Sequence, residues 1–242
     1  MLHPDFSNIV SYARKLGFAV AITSNGFLLN DEIVERISEW GIFNLLISLH
    51  SVRDSTYSKM FGVNRSVKSV LMAIQKLRMR DVPVQVSFTA TKYNIDEFGE
   101  VKEVLGKLGV NGISIKVVHE RGDGSDLEYL MPTEKQLSKV FLDNPEQIQV
   151  RTRRNSDVLT CVAGRSLASI DFLGNVHPCT IFEYPVGNIK EKSFKEIWET
   201  SLNLQKIRAI RDEDFPVCLQ CEMKKYCEVC IARNYLGAFH LS

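Results

Sequence analysis

Between Met1 and Thr160 the chain has no cysteine, so its first two thirds can neither be stapled by disulfides nor hold a metal on thiolates. Charge of one sign is lacking as well. Against 29 Asp and Glu stand 30 Lys and Arg, and a net charge of +1 makes no basic footprint for nucleic-acid phosphates. No apolar run approaches the roughly 20 residues that cross a bilayer. No apolar leader follows Met1, and neither repeats nor low-complexity segments interrupt the chain. These absences leave a soluble, cytoplasmic chain in which thiols stay reduced. What is present in quantity is apolar surface: 45% hydrophobic side chains in 242 residues can bury one large core and a small second one.

All six cysteines fall between Cys161 and Cys230. Twelve residues separate Cys161 from Gly174 and four more lead to Cys179, after which Cys218, Cys221, Cys227 and Cys230 follow at spacings of two, five and two. A lone buried cysteine behaves as a small hydrophobe, but two Cys-x-x-Cys pairs a short turn apart can aim four sulfurs at one centre. Disulfides have no support without an oxidising destination. A structural zinc ribbon on Cys218, Cys221, Cys227 and Cys230 is a second reading, which leaves Cys161 and Cys179 unused. An iron-sulfur cube on such sulfurs is the third.

Upstream of the cysteines, helical and strand patterns alternate. Asp5 to Leu16 reads as an amphipathic helix stopped by Gly17, and Phe18 to Thr23 as a strand buried on both faces. Asn30 caps a helix that ends at Gly41, and Phe43 to Leu49 is a second strand. Ser66 to Met79 forms a helix, Val84 to Thr91 a more alternating strand, Asn94 to Leu108 a capped helix, and Ile113 to Val118 a fourth strand. Thr133 caps a helix through Leu142. Strands alternating with helices of this length imply right-handed crossovers and a parallel sheet, an α/β architecture. Beyond the polar segment from Asn144 to Asp157, Leu173-Gly174-Asn175 marks a β-hairpin that returns Cys179 beside the strand after Cys161. Ser193 and Glu196 form a capping box, and a second helix runs to Ile210. We therefore expect domains at 1–143 and 158–242 with a linker at 144–157.

Ligands of parallel α/β folds sit at the carboxyl ends of strands. Three loops qualify: Thr23-Ser24-Asn25-Gly26, Ile47-Ser48-Leu49-His50-Ser51, and His119-Glu120-Arg121-Gly122. Each alone is a common turn or loop sequence. His177, two residues before Cys179, is either an extra ligand or a hairpin histidine. Tyr226 and Phe182 would shield a metal centre.

The cysteine and glycine order resembles the SPASM domain, the auxiliary cluster-binding extension of many radical S-adenosylmethionine (radical SAM) enzymes. The three loops, with Phe61-Gly62-Val63 and Ser66, are similar to the radical SAM partial barrel, a (β/α)6 half-barrel. This resemblance implies one or two auxiliary 4Fe-4S clusters in the tail: Cys161, Cys179 and Cys230 would serve one and Cys218, Cys221 and Cys227 the other, each set one ligand short, so that a non-cysteine group or an open site completes each, or only one cluster is built. It implies S-adenosylmethionine along the strand ends, with Ser48 at the ribose or methionyl part and Asn25 beside it. Glu120 and Arg121 are either holders of substrate or the cofactor carboxylate or solvated loop charges. The family's Cys-x3-Cys-x2-Cys loop and its Gly-Gly-Glu-Pro segment are absent, and Leu2-His3-Pro4-Asp5-Phe6 looks like the residues that follow the latter. We expect an incomplete barrel lacking its first strands, followed by a small cysteine-rich α+β SPASM domain. The complete enzyme would form a 5'-deoxyadenosyl radical and modify a peptide or protein side chain, with electrons from a reductant such as flavodoxin or ferredoxin. An internal start, a split gene or a fragment would each leave the first strands out, and in the docking alternative a partner chain supplies them. Without the cluster loop the chain alone would not cleave S-adenosylmethionine; a non-catalytic electron-transfer or docking module and a zinc-ribbon protein are the alternatives.

Overall fold

In the computed structural model the described residues are 1–62, 66–117, 127–148, 161–222, 229–232 and 234. They form two compact units, Met1–Gln147 and Ile148–Ser242. Among the described residues no helix is long and apolar enough to cross a membrane.

The first unit is a sheet of four parallel strands in the order β1 (Ala21–Ser24), β2 (Asn44–Ser48), β3 (Val84–Ala90) and β4 (Ile113–Val117). Helices α1 (Phe6–Lys15), α2 (Asp31–Glu39), α3 (Asp54–Phe61), α4 (Val67–Arg78), α5 (Phe98–Lys107) and α6 (Glu134–Asp143) accompany it. Local chemistry sets several boundaries. Asn30 accepts from the Ile33 amide at 2.9 Å and Ser66 from that of Lys68 at 3.3 Å, each capturing a donor that the helix cannot satisfy itself. Thr133 and Gln136 make a reciprocal capping box at the start of α6. The core between α2, α4, α5 and the sheet is dry: Val34, Ile37, Leu45, Ile47, Val70, Ile74, Val86, Phe88 and Phe98 have no exposed surface. The Phe88 and Phe98 rings meet edge to face at 5.2 Å.

Burial differs from expectation at the ends of the sheet order. β1 is not covered on both faces, since Ala21 and Thr23 are exposed, and Phe18 before it is 61% exposed. Its sole described neighbour is β2, and an outer strand is enclosed by one face of packing. β3, which reads as the more alternating strand, is instead the most enclosed, because β2 and β4 flank it. Helix α3 has no counterpart in the sequence reading. Asp54 at its start binds the Val67 amide at 2.7 Å, and Gly62 ends it in the left-handed region at φ +65°. Asn94 does not cap α5; a short 3-10 turn, Ile95–Glu97, intervenes, and the Asn94 side chain points back to the strand ends. The first unit also extends past Asp143. Asn144 is buried, its side chain donates to the Val140 carbonyl, and Lys102 reaches both Asn144 at 3.0 Å and Glu146.

The second unit holds a small antiparallel sheet in the order β5 (Ser169–Ile170), β6 (Asn175–His177) and β7 (Gly187–Asn188). Helices α7 (Phe194–Thr200), α8 (Leu202–Ala209) and α9 (Pro216–Gln220) follow. The expected hairpin is present, closed by Asp171, whose carboxylate accepts from the Leu173 and Asn175 amides at 2.8 and 2.9 Å. Gly174 completes the turn at φ +90°. Ser193 caps α7 through the Glu196 amide, but Glu196 turns its carboxylate to Lys192 at 3.2 Å, so only half of the capping box forms. Val176, Phe182, Val186, Ile197, Leu204 and Ile207 make the core.

Candidate functional site

Two of the predicted cofactor residues come together at the carboxyl ends of β1 and β2. Ser24 pairs in register with Ile47; Asn25 is the first residue after β1, and Ser48 is the last of β2. Asn25 is exposed, and its Oδ1 accepts from the Phe27 amide at 3.2 Å, an Asx turn that fixes the loop. Gly26 holds φ +81°, and a Cβ there would lie 2.6 Å from Val70 Cγ1, so the turn can press against α4 only without a side chain. Ser48 is half-buried and level with Ser87 of β3. Glu120 and Arg121 lie outside the described residues, as does Val63.

The same strand ends hold a network that the sequence reading did not assign. The Thr89 amide donates to His50 Nδ1 at 3.0 Å, and the His50 amide donates to the Tyr57 hydroxyl at 2.9 Å. Asn94 Nδ2 donates to the carbonyls of His50 at 2.8 Å and Thr89 at 3.0 Å, while its Oδ1 accepts from the Thr91 amide and hydroxyl. Accepting at Nδ1 places the proton of the neutral ring on Nε2. Beyond His50, Ser51 and Thr56 both donate to the Glu97 carboxylate, Thr56 at 2.7 Å, and Arg53 lies 3.7 Å from it. The loop after β2 is thus tied to α3, α5 and the end of β3. The Asp54 start and Gly62 stop were the signals for α3, the helix that supplies Thr56 and Tyr57.

Burial pushes the His50 imidazole down from 6.5 to about 4, and burial pushes the Tyr57 hydroxyl up to about 12 despite its bond to the His50 backbone. The folded chain therefore keeps His50 neutral at pH values where the unfolded chain protonates it. Stability should fall as pH drops through 6.5, with the full loss of about 3 kcal/mol reached below about 4. Urea unfolding at pH 7 and pH 5 measures this. His50→Asn, which retains an acceptor for Thr89, should show the smaller drop; equal drops would contradict the assignment.

In the second unit none of the described cysteines is in a disulfide. Cys161, Cys179 and Cys230 are half-buried against one core, Cys218 is half-buried on α9, and Cys221 is exposed. Cys227 and Tyr226 lie outside the described residues. Asn234 links the two ends of the clustered run: its Oδ1 is 3.9 Å from Cys218 Sγ, and its Nδ2 donates to the Cys230 carbonyl at 2.9 Å. Phe182 is 2% exposed and stacks on Tyr184 at 5.5 Å. His177 is no open hairpin side chain: it is 12% exposed, its Nε2 lies 3.1 Å from Asp171 Oδ2, and its Nδ1 is buried without a hydrogen-bond partner. Hydrogen bonds from Asn175 and His177 hold the Asp171 carboxyl well below the usual carboxylate range.

Among the described residues no group of three or more His, Cys, Asp or Glu side chains is arranged around a single metal ion. In a four-iron cube each ligand binds a different iron, so its donors stand farther apart than those around one ion. The residues present suit such a group: three free cysteines share one core, and among the buried polar atoms of the same unit without a partner are two nitrogens, His177 Nδ1 and Arg165 Nη1.

Comparison with known proteins gives a family to each unit. Residues 1–108 match the model of the radical SAM superfamily, and residues 161–222 match that of the SPASM iron-sulfur cluster-binding domain. The AdoMet-dependent heme synthase of Methanosarcina barkeri is 27% identical over 97% of this chain and 75% of its own length. The subtilosin biosynthesis protein AlbA of Bacillus subtilis is 25% identical over 96% of the chain and 55% of its own. Streptococcus suis SuiB bound to its precursor peptide SuiA superposes with a TM-score of 0.72 over 99% of this chain at 16% identity. SuiB has also been solved with S-adenosylmethionine bound, with a TM-score of 0.68. The chain spans about three fifths of the SuiB chain. These domains imply S-adenosylmethionine and 4Fe-4S clusters as cofactors. A parallel α/β unit that matches the radical SAM superfamily is therefore followed by a cysteine-bearing unit that matches the SPASM domain, the domain pair of radical SAM/SPASM proteins.

Proposed function

We propose that this chain binds S-adenosylmethionine along the carboxyl ends of β1 to β4 and auxiliary 4Fe-4S clusters on its cysteines, as part of an enzyme that modifies a peptide or protein side chain. The observation that supports this reading is the parallel order of β1 to β4, at whose carboxyl ends parallel sheets bind ligands and from which the Asn25 loop and Ser48 follow. Ser48 contacts the ribose or methionyl part, Asn25 flanks it, and Glu120 and Arg121 hold substrate or the cofactor carboxylate. His50, two residues after Ser48 and kept neutral by burial, adds no charge to the site. Cys161, Cys179 and Cys230 hold one cluster and Cys218, Cys221 and Cys227 the other, relaying electrons or anchoring substrate. Bound on a barrel cluster and reduced, S-adenosylmethionine supplies the 5'-deoxyadenosyl radical that abstracts hydrogen. The peptide substrate is favoured by SuiB, solved with a precursor peptide, and by AlbA, a bacteriocin biosynthesis protein.

A second reading rests on the heme synthase, whose identity to this chain is slightly higher than that of AlbA. A porphyrin-type substrate would then replace the peptide. Porphyrin fluorescence quenched on adding the chain would favour it.

The chain has no cysteine before Cys161 to hold the barrel cluster. Under anaerobic reducing conditions the pure chain should bind S-adenosylmethionine in equilibrium dialysis but release no 5'-deoxyadenosine. Ser48→Ala should weaken binding by about tenfold, the order of one hydrogen bond. Unchanged affinity would remove Ser48 from the site, and 5'-deoxyadenosine from the pure chain would overturn the incapacity.

A further inference from the structure

Arg165 sits four residues after Cys161, in a tight turn. The Arg165 and Ser166 amides both donate to the Val162 carbonyl, at 3.0 and 3.2 Å, and Gly164 adopts φ +66°. A Cβ on Gly164 would lie 2.9 Å from Leu204 Cδ2, so the turn is pressed onto α8. From it the Arg165 guanidinium reaches the end of that helix, and Nη2 donates to the carbonyls of Arg208 and Ile210 at 2.9 Å and of Ile207 at 3.3 Å. These are the orphan acceptors of a helix C-terminus, which cations suit.

That bonding uses one nitrogen of the fork and leaves the other. Arg165 Nη1 is buried with no hydrogen-bond partner, as is Nη2 of Arg208. Arg208 is held by the Gly164 carbonyl at 2.7 Å, the Trp198 carbonyl at 2.8 Å and the Trp198 ring at 4.5 Å. Arg211 donates to the Arg208 and Ile210 carbonyls nearby, at 2.7 and 3.1 Å. The groups that face Arg165 electrostatically are Cys161, Arg211, Arg208 and Asp212. Arg165 and Arg211 thus share the Arg208 and Ile210 carbonyls, while Asp212 Oδ1 is also buried without a partner and so does not accept from Nη1. A buried, unsatisfied N–H of this kind is costly unless something negative takes it. Cys161, the first cysteine of the SPASM unit, packs against the same core as Leu204 and Ile207 of α8, onto which the Gly164 turn is pressed.

We propose that Arg165 Nη1 donates a hydrogen bond to the cluster ligated through Cys161 and so raises its reduction potential. The inference rests on the cluster assignment above. Thiolate-ligated iron-sulfur clusters are net negative and become more so on reduction, so a cationic donor stabilises the reduced form more than the oxidised one. Hydrogen bonds to the sulfurs are among the factors that set such potentials. Arg165 is in this sense a positioning and tuning residue: the α8 carbonyls hold one nitrogen, and that anchorage fixes the other.

An EPR-monitored redox titration of the anaerobically reconstituted full chain tests this, comparing wild type with Arg165→Lys and Arg165→Met. Arg165→Met should make reduction of the Cys161 cluster about tenfold less favourable, a fall of about 59 mV for one electron. Arg165→Lys keeps the charge but not the fork, and should fall less. The cluster on the Cys218 set is the internal reference and should move little. An unchanged midpoint in Arg165→Met, with thermal stability lowered, would reduce Arg165 to a helix cap and overturn the proposal. The wild-type chain labelled with 15N-arginine gives a check independent of how the variants fold. Its reduced cluster should show a weak 15N coupling, and no coupling would equally overturn the proposal. Absence of iron and sulfide from the wild type would instead sink the cluster assignment, and this inference with it. Full iron and an unshifted potential would sink this inference alone.

Discussion

Serine at both Cys161 and Cys179 should remove about four irons and matching sulfide per chain from the anaerobically reconstituted protein, which we expect to hold about four to eight. The exchange is nearly isosteric, so packing against the Val176 and Ile207 core is little disturbed and the change reports ligation. Metal binding contributes folding free energy where ligands are brought together only by the fold. The double variant should therefore also unfold at lower temperature, and chelator treatment of wild type should move it the same way. Iron, sulfide and zinc analysis with an absorption spectrum before and after dithionite decides the result. A broad band near 400 nm that bleaches on reduction marks the clusters, and its partial survival in the double variant would place the remainder on the Cys218, Cys221 and Cys227 set. One zinc, no sulfide and no colour in wild type would restore the zinc-ribbon reading.

The elements that were legible in the sequence are those whose signals are local. Asn30, Ser66 and Thr133 each announce a helix because a side-chain oxygen at that position satisfies an amide within three residues, and the structure shows those bonds. The β5–β6 turn was legible for the same reason, through Gly174 and Asn175. The parallel sheet followed from alternation alone. What was hidden depends on partners distant in the chain. Whether Phe18 and Ala21 are enclosed depends on what lies beside β1, which its own apolar run does not encode. Helix α3 carries only two buried side chains, Thr56 and Tyr57, so it has no apolar stripe to read. His50 was visible as part of a strand-end loop. Its role as acceptor from Thr89 arises only because β2 and β3 are neighbours, a contact across 39 residues.

Asn94 is the clearest case of a residue whose identity misled, and it carries the largest effect we expect in the first unit. An asparagine ahead of a helix reads as an N-cap, yet this one is fully buried and joins three segments. Its oxygen takes the Thr91 amide at 2.7 Å and hydroxyl at 2.9 Å, and its nitrogen serves the carbonyls of His50 and Thr89. Asn94→Ala would leave a buried amide and two buried carbonyls without partners at the place where β2 and β3 end. With each orphaned group costing about 1 kcal/mol or more, the variant should lose about 3 kcal/mol, a large share of the 5 to 15 kcal/mol typical of a domain. Asn94→Asp separates this account from simple loss of volume. Aspartate fills the space and can still accept from Thr91, but it turns a second oxygen toward two carbonyls where a donor is required, so it should be at least as destabilising as alanine. Urea unfolding gives both values, and hydrogen exchange at the Thr91 amide should rise in Asn94→Ala. If aspartate proved close to wild type, the two carbonyl bonds would not be what holds the His50 loop against β3. The Glu97 carboxylate, which gathers Ser51 and Thr56 from the same loop, would then be the stronger tie.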